Sequence, residues 1–109
     1  MKLIRRMEAA LANEDGLVFF PEECETLAAN YVRVFRGETT MADAHPDEEE
    51  IYVILSGEGT VWLDEQPYPV SQGDAVYIPR WMKHAVSGGG EDGLSYLCVA
   101  NWPDGRPGE

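Results

Sequence analysis

Residues 37–57 read GETTMADAHPDEEEIYVILSG, and this stretch decides the fold. It sets a histidine among acidic residues and runs straight into Ile51–Leu55, an apolar segment rich in β-branched side chains. Residues two apart on a strand point to one face, so Asp43 and His45 can converge on a single point. Glu50, Tyr52 and Ile54 share one face of the next strand by the same rule. His45 and Glu50 are five apart, which simple alternation would put on opposite faces. A turn or bulge near Pro46-Asp47 has to correct the parity, and spacing alone does not choose between Glu49 and Glu50. The only other histidine, His84, is distant in sequence. A closed or folded-over sheet is needed to bring it to the same interior. Gly73-Asp74 turns into that region, and Pro79 interrupts pairing so that the following loop aims His84 inward.

Outward from this stretch, short β-type runs are separated by Gly, Pro and acidic turns. The runs are Leu17–Phe20, Tyr31–Phe35, Ile51–Leu55, Thr60–Leu63, Ala75–Ile78 and Leu94–Ala100. Ser56-Gly57-Glu58-Gly59 reads as a tight hairpin between the third and fourth runs. Asp64–Pro67 and Ser71–Asp74 read as two further turns. Ahead of the strands, Leu3, Ile4, Met7 and Leu11 recur at helical spacing until Asn13–Gly16, a short amphipathic helix with a strand as its competitor. Many short strands argue for an all-β sandwich or barrel, and 109 residues make one domain. Residues 103–109 read as a loose tail.

Two segments carry a family resemblance. The first is Gly37, five residues, Asp43, one residue, His45, four residues, Glu50, six residues, Gly57. The second is Gly73, five residues, Pro79, one residue, Trp81, two residues, His84. Together they resemble the two motifs of the cupin superfamily, G-x5-H-x-H-x3,4-E-x6-G and G-x5-P-x-G-x2-H-x3-N. The fifteen residues between Gly57 and Gly73 match the small single-domain bacterial members. The resemblance covers residues 37–88, with the motifs at about 37–57 and 73–88. It implies a single double-stranded β-helix, or jelly-roll barrel, over residues 1–109, with the short N-terminal helix as cover. It also implies one divalent transition metal held by His45, Glu50 and His84, the family offset selecting Glu50 over Glu49. Two imidazoles and a carboxylate are the facial arrangement used for iron(II), so iron(II) is expected first, with manganese(II), nickel(II) or zinc(II) as alternatives.

The departures from the family pattern are as informative. Asp43 stands where the family usually has histidine. As a fourth ligand it would give two carboxylates and two imidazoles, cancelling a dication's charge. Otherwise it orients a water or hydrogen-bonds His45; one of these roles, or weak binding to the metal, is the reading we favour. Trp81 replaces the family glycine, so it is expected to avoid positive φ and to form a lip at the barrel mouth. Gly88 replaces asparagine, at the cost of one polar contact.

Other residues carry two readings each. Asp47–Glu49 read as a solvated acidic loop. Arg33 faces solvent, as most cations on an apolar strand do, or faces the cavity with Tyr31 and Phe35 and anchors an acidic substrate. Tyr52, Ile54, Arg33 and Trp81 are therefore the substrate-pocket candidates, Ile54 doubling as ordinary core. Cys98 reads as packing, with a thiol beside the metal as the alternative. Trp62 and Trp102 read as surface or interface residues.

Composition excludes several function classes. The formal charge is −12, from 20 acidic against 8 basic residues, which repels phosphate backbones and anionic membranes. No helix-turn-helix, phosphate-gripping Gly-rich loop or nucleophile elbow is present. Two cysteines are too few for a disulfide framework, and with no signal-like or spanning segment a cytoplasmic address is expected. Spare aromatics and a β-rich exterior predict a homodimer.

The cupin resemblance implies a pool of dioxygenases, isomerases, epimerases, lyases and decarboxylases. The reading is a metal-dependent enzyme acting on a small organic molecule, acidic ones included. In an oxygenase the metal takes substrate and oxygen at its open positions. In an isomerase or lyase it polarises a carbonyl or carboxylate while Tyr52 or Asp43 moves a proton. The alternative is a non-catalytic binding or sensor module whose metal is structural or absent.

Overall fold

The computed structural model of the chain describes residues 3–13 and 16–105. Residues 14–15, at the stop of the expected helix, and 106–109 of the expected tail lie outside the described residues. The strands are β1 (Leu17–Phe19), β2 (Leu27–Val34), β3 (Glu49–Leu63), β4 (Gln66–Ser71), β5 (Ala75–Ile78), β6 (His84–Gly88) and β7 (Leu94–Asn101). All of these pair antiparallel. The 15-residue β3 organises them. Residues 49–57 of β3 pair with β7, and residues 50–53 also with β5; residues 58–63 lie between β4 and β6. One strand thus passes from a β1-β2-β7-β3-β5 sheet into a β4-β3-β6 sheet, which is the double-stranded β-helix expected from the motifs.

That continuity corrects the hairpin expected at Ser56–Gly59. The chain does not reverse there: β3 runs through with a register shift between Ile54 and Ser56 and a φ of 78° at Gly57. A Cβ on Gly57 would stand 2.0 Å from the Gly93 carbonyl oxygen, and one on Gly59 would stand 2.3 Å from that of Ser87. These glycines admit the close passage of neighbouring backbone as the strand bends between sheets. The reversal comes at Asp64-Glu65, with φ of 48° and 71°, in a two-residue loop joining Leu63 to its partner Gln66. Positive φ at both central residues is the geometry that matches the twist of a hairpin. The strand that follows, β4, was hidden by Pro67 and Pro69. It pairs with β3 alone, and an edge strand tolerates proline because its outer side needs no donor.

The core is built from the inward residues of both sheets, among them Val34, Ile54, Val61, Ile78, Val86 and Leu94. Ile54, Ile78, Val61 and Val86 are fully buried, each stabilising the fold by roughly 1.5–3 kcal/mol. The N-terminal helix is short as expected but is 3-10 in type, over Met7–Ala12, and buries Ala10 rather than the predicted stripe. Leu3 and Ile4 precede it and are exposed. Arg5 holds that approach extended, its guanidinium donating to the Val18 carbonyl and to Glu23 and lying 4.9 Å from the Phe19 ring. So short a helix cannot recover the cost of nucleating α turns. No helix among the described residues is long and apolar enough to cross a membrane.

Candidate metal centre

Three side chains from three places in the chain meet inside the barrel. Glu50, the second residue of β3, has its side chain inward, on the same face as Tyr52 and Ile54, while Ile51 and Val53 face out. His84 opens β6. His45 precedes β3, and the bend at Pro46-Asp47 supplies the change of parity that the five-residue spacing demands. Glu50 Oε1 lies 3.3 Å from His84 Nε2 and 3.6 Å from His45 Nε2. The ligand atoms of His45, Glu50 and His84 all fall within 4.8 Å of one another, and Glu50 and His84 are buried.

Each ligand is aimed by a neighbour. His45 Nδ1 lies 3.2 Å from Glu48 Oε1, and His84 Nδ1 lies 3.1 Å from the Met82 carbonyl oxygen. In the neutral rings an acceptor at each Nδ1 takes the proton there, which leaves the Nε2 lone pairs on the Glu50 side for a metal; when protonated, His84 Nε2 donates to Glu50 instead. On the far side of the carboxylate, the Cys98 thiol donates to Glu50 Oε2 at 3.0 Å. The donor set therefore fits a divalent transition ion: two imidazole nitrogens and one carboxylate oxygen, with the partners that fix their tautomers.

The electrostatics agree with the packing. Burial alone would raise the Glu50 carboxyl, but hydrogen bonds from His84 and Cys98 and the nearby imidazoles hold it below its ordinary value. The hydrogen bond to Glu50 raises His84 against the opposing effect of burial. Burial, then the Glu50 charge, pushes both the Tyr52 hydroxyl and the Cys98 thiol far up, so both keep their protons. Burial also raises Glu48, with His45 opposing.

A cavity of about 340 Å³ opens onto the triad. Tyr52 lines it, its ring edge-on to His84 at 6.3 Å and tilted 32° to that of Tyr96, with centroids 4.6 Å apart. Asp43 lines it too but is not part of the converging set. It bridges His84 through backbone hydrogen bonds of 3.0 and 2.8 Å, and its carboxylate lies 3.6 Å from His45 Nε2 with 63% of the side chain exposed. Cys98 packs in the core, as expected, and also lines the cavity beside Glu50.

Several expectations are corrected. Arg33 does not line the cavity: it is exposed on β2, its guanidinium 5.4 Å from the Phe35 ring. Strand parity explains this, since the inward residues flanking it are Val32 and Val34. Ile54 is core below the cavity rather than lining. Trp81 adopts a φ of 73°, against the expectation that it would avoid that region. The turn forces it: Met82 N–H bonds the Pro79 carbonyl and Trp81 N–H bonds that of His45, leaving Trp81 in the position where such turns need φ above zero. Its indole is exposed and does not line the cavity. Gly88 is not a mere loss of asparagine, because a Cβ there would stand 2.3 Å from the Phe35 carbonyl oxygen. Glu48 leaves the expected solvated loop to buttress His45, whereas Glu49 stays outside, accepting from Tyr77 and Asn101. Trp102, expected at the surface, lines the cavity with Tyr96. The alternation Tyr96, Cys98, Ala100 carried the signal for that wall, once β7 is registered so that Cys98 faces Tyr52.

Comparison with known proteins agrees with this architecture. Residues 30–100 match the Cupin_2 family, described as a cupin domain. An uncharacterized protein of Methanocaldococcus jannaschii is 37% identical over 67 residues, 62% of this chain and 54% of the relative. The chain thus spans about half the length of that curated relative. A cupin protein from Bacteroides fragilis superposes with a TM-score of 0.75 at 22% identity, covering 100% of this chain and 92% of that one. A predicted oxalate decarboxylase from Thermotoga maritima gives 0.60 at 25% identity, over 70% of this chain and 64% of that one. The DMSP lyase DddQ from Ruegeria pomeroyi gives 0.65 at 28% identity, over 74% and 41% respectively.

Proposed function

The chain belongs to the cupin-domain family, and on that premise we propose that it is a metal-dependent enzyme of lyase or isomerase type acting on a small organic molecule. The observation that carries this reading is the ligand set: both Nδ1 atoms are engaged, and both Nε2 atoms face Glu50 at the cavity. When bound there, a divalent transition metal, iron(II) first and manganese(II), nickel(II) or zinc(II) after it, would polarise a substrate oxygen.

The chain's own groups supply the rest. Tyr52 keeps its proton, so it acts as a donor to an oxygen that gains negative charge, not as a base. Asp43, exposed beside His45, is the group able to pass a proton to solvent. The Tyr52 and Tyr96 rings, with centroids 4.6 Å apart, form an aromatic part of the cavity wall. Two similar structures, a lyase and a predicted decarboxylase, support the bond-cleaving class.

The test is turnover after reconstitution with each of the four metals, followed by proton NMR in deuterium oxide for elimination, decarboxylation or C–H exchange. Metal-dependent conversion is expected, lost in Glu50→Gln together with the metal. Tyr52→Phe should keep the metal but lower kcat by about 10²- to 10⁴-fold. Ligand binding without conversion under any metal, unchanged by Tyr52→Phe, would mean a non-catalytic binding module instead.

A further inference from the structure

Three carboxylates line the cavity, Asp43, Glu48 and Glu50, and among the described residues no lysine or arginine does. Cations of the chain are engaged elsewhere: Arg33 over Phe35, Arg5 with Glu23, Arg80 with Asp104 and Lys83 with Glu65. Three carboxylates outnumber the charges of one bound dication, and low-dielectric walls strengthen their field inside the cavity. An anionic substrate would have the metal and neutral donors such as Tyr52 to attract it, with three carboxylates against it. The failure of Arg33 to face inward removes the one anchor that an acidic substrate had. The opposite preference has support in the lining itself. Asp43 stands outside the converging set, its carboxylate 3.6 Å from His45 Nε2 and its side chain 63% exposed, and the aromatic side chains of Tyr96 and Trp102 line the same cavity.

We propose that the substrate pairs a metal-binding oxygen with an ammonium-type cation, as a small amino or quaternary-ammonium alcohol or acid does, with the oxygen at the triad and the cation towards Asp43. This names the substrate class of the site and so rests on the metal-dependent reading above. A cavity of about 340 Å³ suits a molecule of that size.

The test uses matched pairs that differ only in charge, titrated calorimetrically into metal-loaded protein. Choline is compared with 3,3-dimethylbutan-1-ol, and glycine betaine with 3,3-dimethylbutanoate, with succinate as the dianionic control. Each cation should bind about tenfold or more tightly than its uncharged-carbon counterpart, and Asp43→Asn should cut that ratio severalfold. Equal affinities within both pairs, succinate outbinding betaine, or no binding by either cation would overturn the proposal. Metal content and turnover are measured on the same samples, which separates the two failures. Cation preference without conversion keeps this inference and removes the enzyme. If no metal is taken up, the enzyme reading fails first, and the pairs run on metal-free protein still decide the cation preference.

Discussion

Glu48 Oε1 lies 3.2 Å from Nδ1 of His45, and this buttress leaves Nε2 as the ring nitrogen that the metal would meet. Only 14% of the Glu48 side chain is exposed, so the contact is held in place rather than exchanged with water. Replacing such a partner of a ligating histidine costs about 10- to 100-fold in metal affinity. Glu48→Gln should show a loss of that size in chelator competition, with little change in thermal unfolding of the metal-free protein. Glu49→Gln serves as the control. Its carboxylate accepts from Tyr77 and Asn101 outside the cavity, and its removal should leave metal affinity unchanged.

The Glu50–His84 pair sets opposite pH dependences for the metal-free and metal-loaded protein. Without metal, His84 is raised above 6.5, so its contribution is complete below that value and lost as pH rises through the raised pKa. Glu50 is lowered below 4.5, so its contribution is complete above that value and lost as pH falls through the lowered pKa. The pair therefore stabilises the metal-free fold most between pH 4.5 and 6.5. Metal needs His84 neutral, so its affinity should begin to fall while pH is still above 6.5, by about tenfold per pH unit for one competing proton. Calorimetry in buffers of different ionisation enthalpy should detect proton release on binding at neutral pH. Affinity flat from pH 8 to 6 would exclude His84 as a ligand.

Much of this was legible because the barrel rests on fixed offsets. The turn at Gly73 and the bend at Pro46-Asp47 follow from spacing and parity, and the family offset selects the inward Glu50-Tyr52-Ile54 face. What escaped depends on contacts between distant strands. Gly57 and Gly59 look like turn residues in one dimension, and only the passage of Gly93 and Ser87 beside them shows why the strand continues. Glu48 is one of four consecutive acids, Asp47 to Glu50, and nothing local separates the one that reaches back to His45. Tyr96 and Trp102 required the phase of β7 relative to β3.

Trp81 carries a local conflict that mutation can resolve. Its φ of 73° lies in the left-handed region, which costs a side-chain-bearing residue about 1–2 kcal/mol. The indole is 72% exposed, so little burial compensates. Trp81→Gly should be more stable than Trp81→Ala by about 1 kcal/mol, since alanine keeps the strain and glycine removes it. Denaturant unfolding of the two variants measures this. Equal stability would mean that the turn relaxes when the indole is removed.

The outer face of the larger sheet leads to the last expectation. Across it, Tyr31 faces Leu97, Leu97 faces Val53 and Val53 faces Ala75; in the next row Ala29 faces Val99, Val99 faces Ile51 and Ile51 faces Tyr77. Cross-strand partners share a face, so these rows form a continuous apolar surface over four strands. Ile51, Val53 and Tyr77 are exposed within it. A patch of this kind on a chain of charge −12 is a mark of an interface rather than of ordinary surface. We propose that two copies pair through it about a two-fold axis, which sets the same patch of each copy against the other. Light scattering should return twice the chain mass, and Val53→Asp should return the single chain, because a carboxylate at the centre would meet its own copy across the axis. The metal ligands face the opposite side of the sheet, so that variant should load metal as the parent does. A parent that stays single at high concentration and high salt would leave this face as bare surface and remove the dimer.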